Sequence, residues 1–317
     1  MTHRWTRRLL AALTAGALAL AAASAGAQAA TACPPMLPSA AKADAAGAAR
    51  DRGLLWRVVR DGRTSYLYGT LHVGKPAWRR LGPQVKVALR DSDVLALEID
   101  PNDPALLAAL AELRHGAELP PALAERLKRA FERACVAPES LAELHPVLQA
   151  TTLTMLEARW LGMDPLYAME QLLSTEARTL GRRVVSLETA AQQKASLVPS
   201  SDEEAQAVID QSLQQLEDRS ARRVLTRLAA AWEAGDLAIL DDYAAWCECI
   251  ADESDRAYMR RLNDERNPPL ADGIEALHRQ GRRIFAAVGA LHMTGPQSLP
   301  RLLAARGFKV ERVPFGR

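Results

Sequence analysis

Two histidines in matching surroundings carry the chemistry this chain could perform. Gly69-Thr70-Leu71-His72 follows Ser65-Tyr66-Leu67-Tyr68, and Gly289-Ala290-Leu291-His292 follows Ile284-Phe285-Ala286-Ala287-Val288. In each, a β-type run ends in glycine, two residues pass, and a histidine follows. Glycine permits a sharp turn or a close backbone approach to a ligand. Two further apolar runs end on acids: Val94-Leu95-Ala96-Leu97 leads to Glu98 and Asp100, and Val184-Val185-Ser186-Leu187 leads to Glu188. Two imidazoles and a carboxylate suit Zn, Mn, Fe or Co, and an ion held with an open position acidifies water for hydrolysis. The second carboxylate can complete the coordination or act as general base.

Each residue also has a plainer reading. A histidine after a strand is commonly a satisfied loop residue, and a glutamate there commonly caps or pairs. It is the repeated Gly-x-x-His setting that favours a shared ion. His115, His145 and His278 lie in helical or inter-helix segments without matching partners and read as structural. Tyr66 and Tyr68 read as packing, and Lys86, Arg90, Arg182, Arg183 and the Arg219 to Arg227 cluster as solvated faces. Arg266, in Glu265-Arg266-Asn267-Pro268, sits at a helix break where it could reach a site or pair with an acid.

These residues need a scaffold that brings the chain ends together. Strands of an α/β fold deliver the residues that follow them to the carboxyl edge of the sheet. Leu54 to Val59 and Ser65 to Gly69 flank Asp61-Gly62, a strong hairpin signal. A helix follows around Pro83 to Arg90, and buried-type strands are expected at Val94 to Asp100 and Arg182 to Glu188. Asp272 to Arg279 and Leu299 to Ala305 read as helices, and Lys309 to Val313 as a last strand. The expected fold is α/β: a mixed central sheet flanked by helices. Two large helical insertions fall between Asp100 and Arg182 and between Glu188 and Arg282. His72 and His292 share a site only if strands from opposite ends of the chain are neighbours.

Composition narrows the partners. Arg4, Arg7 and Arg8 precede an apolar run from Leu9 to about Ala23, and Ala27-Gln28-Ala29 resembles a cleavage site, so residues 1–29 read as a signal peptide. Residues 30–52 read as a flexible mature N-terminus and 53–317 as one domain with helical insertions. Without the three leader arginines, the 40 basic residues fall to 37 against 38 acids, which offers nucleic acid no basic surface. No later run is of membrane-spanning length, so a soluble protein of the periplasm or beyond is expected. A lipid anchor at Cys33 is a minor alternative. The four cysteines read as staples, with Cys247 and Cys249 too close to bridge each other, so that each would pair with Cys33, with Cys135 or not at all. Walker, Gly-x-Ser-x-Gly, His-Glu-x-x-His and dinucleotide motifs are absent.

At these residues the chain resembles the TraB/PrgY/GumN family, whose animal relatives are the Tiki proteases. The resemblance runs from Leu54-Leu55-Trp56 and the Tyr66 to His72 run through Leu97-Glu98-Ile99-Asp100. It continues through Gly162-Met163-Asp164, Ala177, Gly181, Leu187-Glu188-Thr189, Gln192 and Arg266-Asn267. It ends with Val288 to His292, Gly295, Leu302-Leu303, Gly307 and Val310. Met293 stands where many members carry leucine. The resemblance implies a fold related to the erythromycin-esterase/ChaN-like group and peptidase activity with Mn or Co rather than Zn. Carried over by position, it makes His72, Glu98 and His292 candidate metal ligands, and Glu188 and Arg266 candidates for the remaining catalytic roles. A peptide or protein would be the substrate. Two other readings stay open: a non-catalytic peptide-sequestering protein, and an esterase-like hydrolase using a histidine base without metal.

Overall fold

A tight turn starts the sheet. In the computed structural model, which describes residues 33–38, 49–111 and 119–316, β1 (Leu54–Arg60) and β2 (Arg63–Thr70) pair antiparallel from Leu54 opposite Gly69 to Arg60 opposite Arg63. Asp61 and Gly62 both take positive φ (50° and 71°), the conformation whose twist matches that of the strands it joins. The expected leader, much of the 30–52 segment and His115 lie outside the described residues.

Four more strands complete the sheet: β3 (Val94–Leu97), β4 (Arg183–Ser186), β5 (Ile284–Gly289) and β6 (Lys309–Val313). Their order is β4-β3-β5-β2-β1-β6. The first four are parallel, whereas β1 runs antiparallel to both β2 and β6, so the sheet is mixed and the fold is α/β. β3 is buried at every position and β5 at all but its last, which is why both are apolar runs without alternation. The acids beyond β3 and β4 lie outside the strands, because the ladders stop at Leu97 opposite Ser186. In the parallel pair β2 and β5, Thr70 stands opposite Gly289. The two glycine motifs are thus side by side.

Helices fill the two insertions. Pro121 and Pro146 each open one, as Pro83 opens the helix ahead of β3, at a position where the missing N–H is not needed. The same rule corrects one expectation. The last inserted helix is Asn267–Arg279, beginning ahead of Asp272, because Pro268 and Pro269 occupy its first turn and do not block it. Two apolar cores result. One joins the sheet to its covering helices through Leu95, Leu97, Phe285, Val288 and Trp232. The other is all helical, with Leu127, Phe131, Val147, Leu153, Ile209 and Leu213 packed between Pro121–Ala134, Pro146–Leu156 and Asp202–Glu217.

The cysteines depart from expectation. Cys247 and Cys249 bridge each other, with Cα atoms 5.1 Å apart, inside the range a disulfide needs. Extended, two residues would span roughly 6.6–7.2 Å. Glu248 between them takes a left-handed φ of 52°, which folds the chain back far enough. Cys33 and Cys135 are also disulfide-bonded. The described residues from Pro34 onward form one compact unit. No helix among the described residues is long and apolar enough to cross a membrane.

Candidate functional site

His72 stands two residues beyond β2 and is held from one side. Its Nδ1 lies 3.0 Å from Glu170 Oε1, and the Thr70 hydroxyl donates to the same oxygen. Glu170 is in the first turn of the Met169–Thr179 helix, where the helix dipole favours a carboxylate. The start of that helix is tied to the strand end by Met169 N–H donating to Leu71 O at 3.1 Å. The Glu170 charge raises the His72 pKa to about 9, against the effect of burial. The side chain is nevertheless 62% exposed, so water screens part of that attraction.

His292 is enclosed. β5 passes into a single 3-10 turn, Ala290–Met293, which carries His292 inward to 3% exposure. Its Nδ1 lies 2.7 Å from Asn267 Oδ1, and Asn267 Nδ2 donates to Gln297 O at 2.9 Å. With the amide nitrogen used as donor, the amide oxygen must accept. His292 therefore carries its proton on Nδ1 and presents a lone pair at Nε2. Burial favours this neutral ring and lowers its pKa to about 4.

The acids lie behind the histidines. Glu98, 7% exposed, accepts the Gly289 N–H at 2.6 Å through Oε1, which lies 3.6 Å from His292 Nε2. Its Oε2 accepts from Arg266 Nη2. Burial pushes the Glu98 carboxyl up, but His292, Arg266, His72 and the Gly289 N–H together hold it at about 2. Glu188, 5% exposed, takes a bidentate pair of bonds from Arg266 Nε and Nη2 at 2.8 and 2.6 Å. Arg266 Nη1 donates to Leu262 O at 3.0 Å. Four of the five guanidinium N–H groups are so engaged, leaving one on Nη1.

Gly289 is where these groups converge. A Cβ placed there would lie 3.2 Å from Glu98 Oε1, 3.5 Å from His292 Cδ2 and 3.7 Å from His72 Nε2. The two rings are therefore no more than about 7 Å apart; ligand atoms that each sit ~2 Å from one ion are at most about 4 Å apart, so a shared ion would draw the rings toward each other. At Gly69 a Cβ would meet Ala290 Cα at 3.2 Å. Neither glycine has a positive φ, so close approach, and not a turn, is what crowds a side chain at both.

The five residues singled out in the sequence thus come together. Among the described residues no three His, Cys, Asp or Glu side chains already enclose an ion position. The donor chemistry nonetheless fits a divalent cation. Both imidazoles are anchored through Nδ1, as metal-binding histidines usually are. Glu98 and Glu188 share a single guanidinium and Glu170 pairs with His72, so once His72 gives up its proton the cluster holds an excess of negative charge that a dication would balance. Glu170 Oε2 is buried without a partner.

Three contributors escaped the sequence reading. Glu170 and Thr70 resemble ordinary helix and strand residues, and nothing in one sequence links positions so distant. Asn267 is adjacent to Arg266, but its place in a helix start hid its use. The other histidines are structural where described. His145 Nδ1 accepts the Val147 N–H at 3.2 Å and caps a helix, and the fully buried His278 pairs with Asp61 at 3.1 Å. Tyr68 packs on Trp232 and Phe285.

The site opens into a cleft of about 430 Å³, within the usual range for ligand sites. His72, His292 and Arg266 are among its polar lining residues. Met155, Leu225, Leu228 and Leu262 from the insertion helices form apolar walls, and Cys247 and Cys249 also line it. No curated protein and no solved structure matches the chain. A family model, described as the TraB/PrgY/gumN family, matches residues 54–312. That span contains both glycine-histidine motifs and every residue of the site, and the chain belongs to the TraB/PrgY/gumN family.

Proposed function

We propose that this protein is an exported, metal-dependent hydrolase that cleaves peptide bonds. The observation that carries this is the convergence of His72 Nε2, Glu98 Oε1 and the His292 ring beside Gly289, in the wall of a cleft. A divalent ion held by His72, His292 and Glu98, with Mn or Co preferred, would supply Lewis acidity to a carbonyl and to a water. The apolar walls would exclude bulk solvent and seat substrate side chains. Glu98 Oε1, 3.6 Å from His292 Nε2, would face the same ion. Arg266 has one uncommitted N–H for the charge that develops on the carbonyl oxygen. Glu188 fixes the plane of that guanidinium through its bidentate pair. Export to the periplasm or beyond rests on the leader at residues 1–29.

A metal-free hydrolase is the second reading. The Glu170 contact to His72 Nδ1 is of the kind that orients a histidine acting as general base. Elemental analysis separates the two. Protein recovered from a periplasm is expected to hold near-stoichiometric Mn, Fe, Co or Zn, falling in both His72→Ala and His292→Ala. Peptide cleavage should stop with chelator and return with one metal. Activity that resists chelator yet vanishes in His72→Ala would establish the metal-free enzyme instead. Tight peptide binding with no change in peptide mass would leave a sequestering protein.

A further inference from the structure

The two histidines occupy matching motifs but are not held alike. His292 is surrounded by packed side chains, so its ring has little freedom. The His72 side chain is 62% exposed, and an imidazole's second torsion is broad and roughly two-fold. Packing therefore does not choose which ring nitrogen faces the site. A single carboxylate oxygen does. Glu170 Oε1 meets both the Thr70 hydroxyl and His72 Nδ1. An ionised carboxylate only accepts, so Nδ1 carries the shared proton and Nε2 is turned toward Gly289. The other oxygen, Oε2, is buried without a partner, so these two groups receive all of the carboxylate's side-chain bonding. The bond from Met169 N–H to Leu71 O keeps Glu170 in step with the motif.

We propose that Glu170 is the positioning residue for His72 and that Thr70 is its clamp. This gives the second residue of the first motif a function. In the second motif that place is Ala290, and His292 turns to Asn267 instead. Glu170 touches neither substrate nor reacting atoms in this role; it decides which nitrogen of His72 does.

The test uses the wild-type chain with Glu170→Ala, Glu170→Gln and Thr70→Val, each crystallised and titrated with Mn(II) by electron paramagnetic resonance. In Glu170→Ala the His72 ring is expected to rotate or occupy two orientations, and Mn affinity to fall about 10–100-fold. Glu170→Gln should keep the ring in place and most of the affinity, since an amide oxygen still accepts. Thr70→Val should lose about 2–10-fold, the cost of one clamping hydrogen bond. His292 should not move in any of them, which guards against general misfolding. An unmoved ring in Glu170→Ala with wild-type affinity would overturn the proposal. So would equal losses in the Ala and Gln variants with the ring unmoved in both, because charge alone would then be acting. The Mn arm rests on the metal reading above, whereas the ring orientation does not. Wild type that binds no Mn would sink that reading and leave the crystallographic arm to decide this one.

Discussion

Gly289 shows how little space the site leaves at the scale of one residue. Its N–H donates to Glu98 Oε1 at 2.6 Å, and a methyl group added at its Cα would stand 3.2 Å from that same oxygen. Glu98 cannot retreat freely, because its other oxygen is paired with Arg266. Gly289→Ala is therefore expected to cost roughly 1–3 kcal/mol of stability, in the range of other overpacked buried positions. Its larger effect should be on the site, with Mn binding weakened about tenfold or more as Glu98 shifts off the His72 and His292 rings. A thermal melt beside a Mn titration would check both, and unchanged affinity would mean that this carboxylate is not a ligand. In the sequence, Gly289 is legible as a special position. What it is special for is not, because the atom that crowds a side chain belongs to Glu98, which follows a different strand.

At the scale of elements, the helix Ser220–Ala234 links the second insertion to the first motif. Trp232 is fully buried, its ring centroid 4.8 Å from that of Trp78, and its Nε1 donates to Gly69 O at 2.7 Å. The carbonyl that begins Gly69-Thr70-Leu71-His72 thus takes a hydrogen bond from a helix far along the chain. Trp232→Phe keeps most of the apolar bulk and removes the donor, so it should cost about 1–3 kcal/mol by leaving a buried carbonyl unpaired. Urea unfolding would measure this, and a value near zero would show that Gly69 O finds another donor. The helix itself could be recognised from its composition. Its docking partner could not, because a tryptophan indole fits many apolar surfaces and the carbonyl it satisfies has no side-chain signature.

For the molecule as a whole, Arg266 is the joint. It caps the last helix of the second insertion, Asn267–Arg279, and binds the acids beyond β3 and β4. Arg266→Ala would leave two buried carboxylates facing each other without a cation, and about 3–5 kcal/mol should be lost at neutral pH. The pH dependence follows from Glu98, whose pKa is lowered from 4.5 to about 2 in the folded protein. That lowering stabilises the wild type fully above pH 4.5, and the contribution is lost as pH falls through about 2. Without the guanidinium, burial is less opposed and the carboxyl rises. The deficit of the variant should be largest at pH 7 and shrink below about pH 4.5. Chemical denaturation at both pH values decides this; equal deficits would show that the lost contribution is not electrostatic.

The sequence by itself determined the local features. Asp61-Gly62 demands a reversed turn, the β3 and β5 runs are too apolar to be anything but buried, and prolines mark helix starts. His72, Glu98, Glu188 and His292 stand out because each follows a strand, where side chains leave the sheet at its edge. Three decisions belonged to the tertiary structure alone. Strand order put β5 between β3 and β2, and parallel pairing is set by the summed packing of helices on both faces, which no short stretch encodes. The backbone at Glu248 let Cys247 and Cys249 bridge, a conformation that sequence spacing conceals. The partners that orient the two rings, Glu170 and Asn267, came from helices whose own patterns only call for a capped start. A hydrogen bond between residues a hundred positions apart forms because the fold brings them together, so it is visible only once the fold is known.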